Sequence, residues 1–317
     1  MSLGSARCSC GAEPVYLDRS SNIVYCKRCI LRHVYRKAVR TMKNENMLSS
    51  GDTVLIGLSG GKDSVVLTDI LGRLARKMRD LNLVAATVDE GISTGESSYR
   101  EEALGYAREV AAKFNVPLHV YSYRELFGGT LDSYVRLRVQ NGSACSVCGV
   151  FRRRALNEAA RRLGANKIAL GHNKDDEAQT VLMNVLRGDL ERMLRTAEGT
   201  HELVRRIKPL RRLSEREVAI YAYLRGYGFQ SVECPYSRDT VRDKVREVLF
   251  ELEGHVSGSR DALLNFEDKL RDVARAGGLY AKCELCGEPT SSSRKLCKVC
   301  EYIQEFRRLS GLNPEPV

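Results

Sequence analysis

A six-residue loop, Ser59-Gly-Gly-Lys-Asp-Ser64, constrains the fold of this 317-residue chain more than any other feature. It follows a short apolar, β-rich run at residues 53–58 and precedes an amphipathic helix predicted over residues 65–78. Glycines let backbone N–H groups approach phosphate oxygens, and a helix N-terminus adds positive potential. The spacing differs from that of a Walker A loop, whose two glycines are separated by four residues. The sequence therefore predicts a cradle for the phosphates of ATP, formed by Leu58, Ser59, Gly60, Gly61, Lys62, Asp63 and Ser64.

Strands and helices alternate after this loop. Short apolar runs at residues 83–88, 118–121 and 167–170 are typical of strands, and periodic segments at residues 98–114 and 151–163 are typical of helices. Further helices are predicted over residues 221–228 and 244–253. Strands that alternate with helices of this length indicate βαβ units, which build a parallel sheet covered on both faces. The predicted fold class is α/β.

Polar residues follow two of the predicted strands, where open α/β sheets bind their ligands. The second strand ends in Val88-Asp-Glu-Gly91, and the fourth is followed by Gly171-His-Asn-Lys-Asp-Asp-Glu177. Carboxylates at these places can hold Mg²⁺ or orient an acceptor, although they are also common helix N-caps. The imidazole here can act as a base or pack on a nucleotide. The nucleotide-binding residues predicted at these two ends are Val88, Asp89, Gly171, His172, Asp175 and Asp176.

The eleven cysteines divide along the chain into groups of four, three and four. The last group has the C-x2-C spacing of a zinc ribbon, and the first is similar except for a tighter C-x-C pair, for which His33 is an alternative ligand. Metal would supply the folding energy of units this small. We predict a zinc module and linker helix at residues 1–48, a central domain at 49–280 and a second zinc module at 281–317. The zinc ligands predicted are Cys8, Cys10, Cys26 and Cys29 in the first module and Cys283, Cys286, Cys297 and Cys300 in the second.

The central group consists of Cys145 and Cys148, placed on a tight turn before a helix, and the distant Cys234. Three such cysteines can hold three corners of a cubane iron–sulfur cluster and leave the fourth iron open. Zinc would prefer a fourth protein ligand. The alternative is three buried free thiols.

The net charge of +11 and a pI near 9.2 indicate either a solubilising surface or a polyanionic partner. The arginine runs near residues 152, 161, 205, 211 and 307 favour RNA. No apolar run approaches the length needed to cross a bilayer, and residues 1–7 lack the apolar core of a secretory signal. We therefore expect a cytoplasmic protein that does not enter a membrane.

The combination of motifs resembles the tRNA 2-thiouridine synthetases of the TtuA, NcsA and cytosolic thiouridylase type, within the PP-loop ATP pyrophosphatase superfamily. The resemblance covers nearly the whole chain. It rests on both terminal cysteine groups, on SGGKDS, on CSVCG at residues 145–149, on GHNKDDEAQTVLMNVLRGD at 171–189 and on ECPYSR at 233–238. The N-terminal C-x-C pair departs from the pattern.

The resemblance implies that ATP adenylates the C2 oxygen of a tRNA uridine, releasing pyrophosphate, and that sulfur then displaces AMP. It implies a [4Fe-4S] cluster on Cys145, Cys148 and Cys234, Mg²⁺, a ubiquitin-like sulfur-carrier protein as donor, and a homodimer. Catalytic roles are carried over to these cysteines, to Asp176 and to Arg152. The residues after Cys148 look like the branch that modifies wobble uridine 34. The branch that modifies T-loop uridine 54 often has a lysine near position 152.

Four alternatives remain at this stage. The same chemistry could act on uridine 54. It could also act on a cytidine, although cytidine 2-thiolating enzymes lack the paired terminal cysteine modules. A PP-loop ligase that forms an amide or lysidine would need no cluster cysteines. A non-catalytic, zinc-bearing tRNA scaffold would not need the intact loop at residues 59–64, and ATP–pyrophosphate exchange separates it from an enzyme.

Overall fold

The computed structural model of the chain describes residues 7–18, 21–93, 98–139, 143–190, 193, 203–237, 240–274, 280–291 and 294–311. The strands are β1 (Tyr16–Asp18), β2 (Ile23–Tyr25), β3 (Thr53–Gly57), β4 (Asn82–Asp89), β5 (Leu118–Ser122), β6 (Lys167–Ala169), β7 (Arg205–Ile207), β8 (Tyr280–Lys282) and β9 (Pro289–Ser291). The helices are α1 (Lys27–Asn44), α2 (Lys62–Ala75), α3 (Ser98–Lys113), α4 (Tyr123–Phe127), α5 (Leu131–Arg136), α6 (Ala144–Arg162), α7 (Lys174–Leu186), α8 (Glu215–Arg225), α9 (Val241–His255), α10 (Ser259–Ala274) and α11 (Lys298–Ser310).

Five strands form one parallel sheet in the order β5-β4-β3-β6-β7. Side chains alternate between the faces of a strand, so β3 contributes to two cores. Val54 and Ile56 pack into the core that contains α1, α2 and α8, whereas Leu55 packs into the core that contains α6 and α11. Because β3 is buried on both faces, its sequence is a continuous apolar run rather than an alternation of apolar and polar residues. The predicted α/β class is confirmed.

The strand order indicates at which edge of the sheet a ligand would bind. The chain runs from β3 outward through β4 to β5, then returns to the other side of β3 to form β6 and β7. The direction therefore changes between β3 and β6, and in such sheets the crevice beyond the carboxyl ends of those two strands holds the ligand. The loops that follow β3 and β6 are two of the three segments that the sequence predicts to bind nucleotide; the third follows β4.

Both terminal segments share apolar core with the central segment. Ile30, Val34 and Ala38 of α1 are fully buried with α2 and α8, and Tyr302 and Phe306 of α11 lie in the core of α6. The terminal cysteines lie beside two antiparallel ribbons, one of β1 with β2 and one of β8 with β9. The boundaries at residues 48 and 280 remain a prediction about where the zinc modules end.

Three expectations about elements need correction. The helix predicted from residue 151 begins at Ala144, because the Ser143 side chain accepts a hydrogen bond from the Ser146 N–H and caps it there. The pair Cys145 and Cys148 therefore lies within the first turns of α6, not on a turn before it. Some elements were not predicted from the sequence: strands β1, β2, β7, β8 and β9 and helices α4, α5, α7, α10 and α11. None of the helices among the residues covered above is both long and apolar enough to span a bilayer.

Candidate active site

The loop between β3 and α2 is held in a conformation that glycine permits. Gly60 has φ +87°, and a Cβ there would lie 2.0 Å from the carbonyl oxygen of Ala103. Gly61 is the N-cap of α2, so the free N–H groups of the first helical turn point into the loop. The Ser64 hydroxyl donates to the Gly61 carbonyl at 2.8 Å, and the Ser59 hydroxyl donates to Ser64 Oγ at 3.2 Å. The loop has the backbone donors of an anion cradle.

Lys62 lies where the N-termini of two helices meet. Its Nζ is 3.0 Å from Asp63 Oδ2 on α2 and 3.0 Å from Glu215 Oε1 on α8. Burial alone would lower the pKa of Lys62, but the two carboxylates raise it above its usual value. The ammonium group is therefore charged at neutral pH, which is the state that binds phosphate oxygens.

Asn173 joins the loop after β6 to the loop after β3. It caps α7 in a reciprocal pair with Asp176, and its side-chain Nδ2 donates to Asp63 Oδ1 at 3.0 Å. Burial raises the pKa of Asp176 to about 6, and the charge of Asp63 adds to this rise, while the Asn173 N–H opposes it. Gly171 is required by the close approach, because a Cβ there would lie 3.0 Å from the Asp63 backbone. The structure thus brings two of the predicted acidic residues, Asp63 and Asp176, to the same edge of the sheet.

His172 is neutral at physiological pH. Desolvation lowers its pKa to about 4, and the cations Lys208, Arg242 and Arg153 lower it further, against the effect of Glu177. About half of its side chain is still exposed (51%). A neutral, half-exposed ring at the ligand edge suits packing on a nucleotide better than it suits a general base, whose pKa is best near the working pH.

Two further predicted residues have partners within the protein. Asp89 Oδ1 accepts a hydrogen bond from the Gly91 N–H at 3.0 Å, which shapes the turn after β4. Asp175 Oδ1 is 3.0 Å from Arg260 of α10, and its Oδ2 accepts from the Glu215 N–H at 2.8 Å. Asp175 therefore fastens α7 to α8 and α10. Its predicted role in binding nucleotide remains a prediction.

The three central cysteines belong to one neighbourhood although Cys234 is far away in sequence. Cys145 and Cys148 lie one turn apart on α6. The Cys145 thiol donates to the carbonyl of Tyr236 at 3.2 Å, and the Tyr236 hydroxyl donates to Asp132 Oδ1 at 2.8 Å. These two bonds hold the loop that carries Cys234 against the start of α6 and against α5.

Arg152 connects this neighbourhood to the sheet edge. Its guanidinium donates to Glu90 Oε1 at 2.7 Å and to Cys148 Sγ at 3.4 Å. Glu90 directly follows β4, is 2% exposed, and also pairs with Arg100 at 3.2 Å. Arg100 additionally donates to the Val88 carbonyl. Arg152 therefore joins the carboxyl end of β4 to the central cysteines.

The structure adds residues that sequence reasoning missed. Glu90 and Asn173 lie inside the segments that were singled out, beside the residues chosen. Glu215 contacts Lys62 from 153 positions away, and no local pattern indicates that contact. Tyr123 is buried, and its hydroxyl donates to the Cys148 carbonyl at 2.8 Å. The aromatic and acidic neighbours of the cysteines become visible only in the fold.

The terminal cysteines form two compact groups. Within each group the four Sγ atoms lie within 4.8 Å of one another, as one metal ion requires. The first group includes Cys8, so the alternative ligand His33 is not needed. That histidine instead contacts the hydroxyl of Tyr25 at 3.3 Å and Glu217 Oε1 at 3.1 Å. In the part of the chain described here, the central cysteines do not form such a single-ion group.

The C-terminal group supports the packing of α11, which gives a testable consequence. Replacing Cys297 and Cys300 together with serine should release the metal and unfold the module of β8 and β9, because metal supplies the folding energy of so small a unit. We expect loss of one zinc per chain and weaker tRNA binding, with ATP binding retained. Elemental analysis and a tRNA titration measure this. A variant with full zinc content and unchanged tRNA affinity would contradict it.

Comparisons with known proteins identify the family of this chain. The model of the PP-loop domain family matches residues 31–253. The tRNA 2-thiolation protein NcsA of Haloferax volcanii is 33% identical over 94% of this chain and 98% of its own length. Cytoplasmic tRNA 2-thiolation protein 1 of Oryza sativa is 35% identical, covering 96% and 84%. A probable sulfurtransferase of Methanocaldococcus jannaschii is 32% identical, covering 95% and 88%.

Among solved structures, the U34-tRNA thiolase NcsA from Methanococcus maripaludis with its [4Fe-4S] cluster is similar over 94% of this chain and 95% of its own, with a TM-score of 0.82 and 30% identity. The likeness therefore extends beyond the PP-loop domain to both cysteine-bearing ends. The resemblance found in the motifs is confirmed: this chain belongs to the tRNA 2-thiouridine synthetase family of the PP-loop superfamily, and it is a tRNA sulfurtransferase.

Proposed function

We propose that this protein converts the wobble uridine 34 of tRNA to 2-thiouridine at the expense of ATP. The observation that carries the proposal is the bridge of Arg152 between Glu90 at the nucleotide edge and Cys148 of the central cysteine group. Because one side chain touches both parts, a base adenylated at the sheet edge lies next to the sulfur chemistry. The wobble position is supported by the similar structure from Methanococcus maripaludis, which is a U34-tRNA thiolase.

In the first half of the reaction, the loop N–H groups and Lys62 bind the β- and γ-phosphates of ATP. The C2 oxygen of the uridine attacks the α-phosphorus, and pyrophosphate leaves. Lys62 stabilises the negative charge that develops on the leaving group, as a fixed cation does in phosphoryl transfer. Asp63 and Asp176, joined by Asn173, offer the carboxylate oxygens that Mg²⁺ prefers. In the second half, sulfur attacks C2 and AMP departs with the former uridine oxygen.

The central cysteines fit an iron–sulfur cluster better than a single ion. Cys145, Cys148 and the loop of Cys234 converge from two elements, and Cys148 receives donors from Arg152 and Tyr123, the kind of hydrogen bonding that tunes cluster sulfur. We propose that they hold a [4Fe-4S] cluster, whose open iron would carry sulfide. The donor sets of the two terminal groups suit zinc.

Further parts of the proposal rest on the family. A ubiquitin-like carrier protein would deliver the sulfur, and the protein would act as a homodimer. It would work in the cytoplasm, as the cytoplasmic tRNA 2-thiolation protein 1 of rice does by its name.

The test is mass spectrometry of tRNA nucleosides, mapped by position, in cells that lack this protein. We expect 2-thiouridine to disappear from position 34 and to return with the wild-type gene but not with Lys62→Ala. Loss at position 54 with position 34 unchanged would assign the T-loop uridine instead. Full rescue by Lys62→Ala would indicate a scaffold rather than an enzyme.

A further inference from the structure

A basic groove lies at the opposite end of α2 from the phosphate loop. Its volume is about 480 Å³, and Leu31 and Tyr35 form part of its wall. The remaining lining residues are all cationic: Arg28 and Arg32 of α1, Arg73, Arg76 and Lys77 at the end of α2, and Arg225 of α8. No residue of the site described above takes part in it.

Some of these cations have structural partners. Arg73 pairs with the buried Asp69 at 2.9 Å, and Arg225 donates to the Tyr221 hydroxyl at 3.3 Å. Arg76 donates to the Lys113 carbonyl at 3.2 Å, and its guanidinium lies 4.9 Å from the centre of the Phe114 ring. These contacts fix the floor of the groove, and only the partner of Arg73 is an anion.

The rim is not neutralised by the protein. Arg28 and Arg32 are exposed, and within the described ranges no carboxylate pairs with either of them or with Lys77, which lies 5.2 Å above the Tyr35 ring. Arg28 also occupies the first turn of α1, which contains no acidic residue. A cation there opposes the helix dipole and costs stability.

The groove and the active site are joined by two helices that start together. Lys62 and Glu215 pair at the N-termini of α2 and α8, while Tyr221 contacts Asp69 about halfway along the two helices. Fourteen residues of α2 span about 21 Å at 1.5 Å per residue. A ligand that reaches both places must be a long polyanion rather than a single nucleotide.

We propose that this groove binds the phosphate backbone of the tRNA, away from the base that reacts. This extends the proposed function and rests on it, because the polyanion is the substrate of that reaction. Arg28, Arg32, Arg76 and Lys77 contact phosphates, and the groove contributes affinity and orientation but takes no part in the chemistry. Substrate binding of this kind lowers KM without raising kcat.

The experiment compares two variants with equal charge loss. The groove variant is Arg28→Gln, Arg32→Gln, Arg76→Gln and Lys77→Gln. The control variant is Arg108→Gln, Arg124→Gln, Arg187→Gln and Lys269→Gln, which also removes three arginines and one lysine from exposed positions. Binding of unmodified full-length tRNA is measured as a function of salt, and thiolation as a function of tRNA concentration. ATP affinity, zinc content and melting temperature report on folding.

We expect the groove variant to bind tRNA about tenfold or more weakly, with a log–log salt slope flatter by roughly 3 to 3.5, since each of the four lost phosphate contacts removes about 0.7 to 0.9. KM for tRNA should rise while kcat stays within about twofold. The control should bind like the wild type. If Arg28→Gln disturbs the neighbouring zinc ligands, Arg32→Gln with Lys77→Gln should still flatten the slope by roughly 1 to 2.

Equal effects in groove and control variants would overturn the proposal, because they would reflect net charge alone. An unchanged slope in the groove variant, with wild-type tRNA binding intact, would overturn the groove and leave the proposed function standing. Absence of tRNA binding by the wild type would reject both. If the groove variant lost binding to anionic phosphatidylglycerol vesicles but kept its tRNA affinity, the groove would belong to a lipid surface.

Discussion

Lys62→Ala should lower the rate of thiolation by about 10²–10³-fold, the range seen when one preorganised donor to a developing charge is removed. Lys62 is the cation at the start of α2, and it is charged at neutral pH because Asp63 and Glu215 raise its pKa. Without it, Asp63 and Glu215 would face the phosphates of ATP uncompensated. Single-turnover assays with saturating tRNA and titrated ATP measure the effect.

The tRNA affinity of this variant should stay within about twofold of the wild type, because in the proposed roles the groove cations contact RNA and Lys62 contacts ATP. Lys244→Ala serves as the control, since Lys244 is exposed on α9 and pairs with Glu247 at 3.2 Å. A loss of tRNA binding as large as the loss of activity would show that the glycine loop belongs to an RNA surface.

Cys148→Ala should abolish thiolation and remove the visible absorption of anaerobically purified protein. A cluster on three cysteines has no spare ligand, so the loss of one thiolate should release iron and acid-labile sulfide together. Cys145→Ala and Cys234→Ala should do the same. Iron and sulfide analysis with electron paramagnetic resonance measures this independently of activity.

Ser146 lies between two of these cysteines, so Ser146→Ala is the matched control. Its hydroxyl lies 2.9 Å from Ser143 Oγ at the surface, so the variant should stay brown and active. Colourless wild-type protein that carries a third zinc would reject the cluster. Brown protein after Cys148→Ala would remove Cys148 from the ligands.

The parts of the site that lie close together in sequence could be predicted. The phosphate loop is recognisable because strand, glycines and helix follow one another, and the terminal C-x2-C pairs because each holds two metal ligands on one turn. The start of α6 was placed too late because Gly149 and the cysteines are weak helix formers. The capping signal of Ser143 lies before them.

Contacts between distant segments could not be predicted. The pairing of Lys62 with Glu215 and the docking of Tyr236 on Cys145 depend on the order in which the sheet is built. The fold also shows that some arginines of the runs have carboxylate partners within the protein. Arg154 pairs with Glu288 at 2.5 Å, and Arg211 pairs with Glu45 and Asp268, each at 2.8 Å. Those cations stabilise the protein, whereas the groove collects its charges from three separate helices.

The most direct test of the central claim follows the oxygen that leaves the uridine. Anaerobic protein is supplied with ATP, a sulfide source and tRNA whose uridine 34 carries ¹⁸O at C2, in unlabelled water. Adenylation of the C2 oxygen predicts one labelled AMP for each 2-thiouridine formed at position 34, detected by mass spectrometry. Unlabelled AMP, or thiolation without release of AMP and pyrophosphate, would contradict the proposal that ATP activates this oxygen.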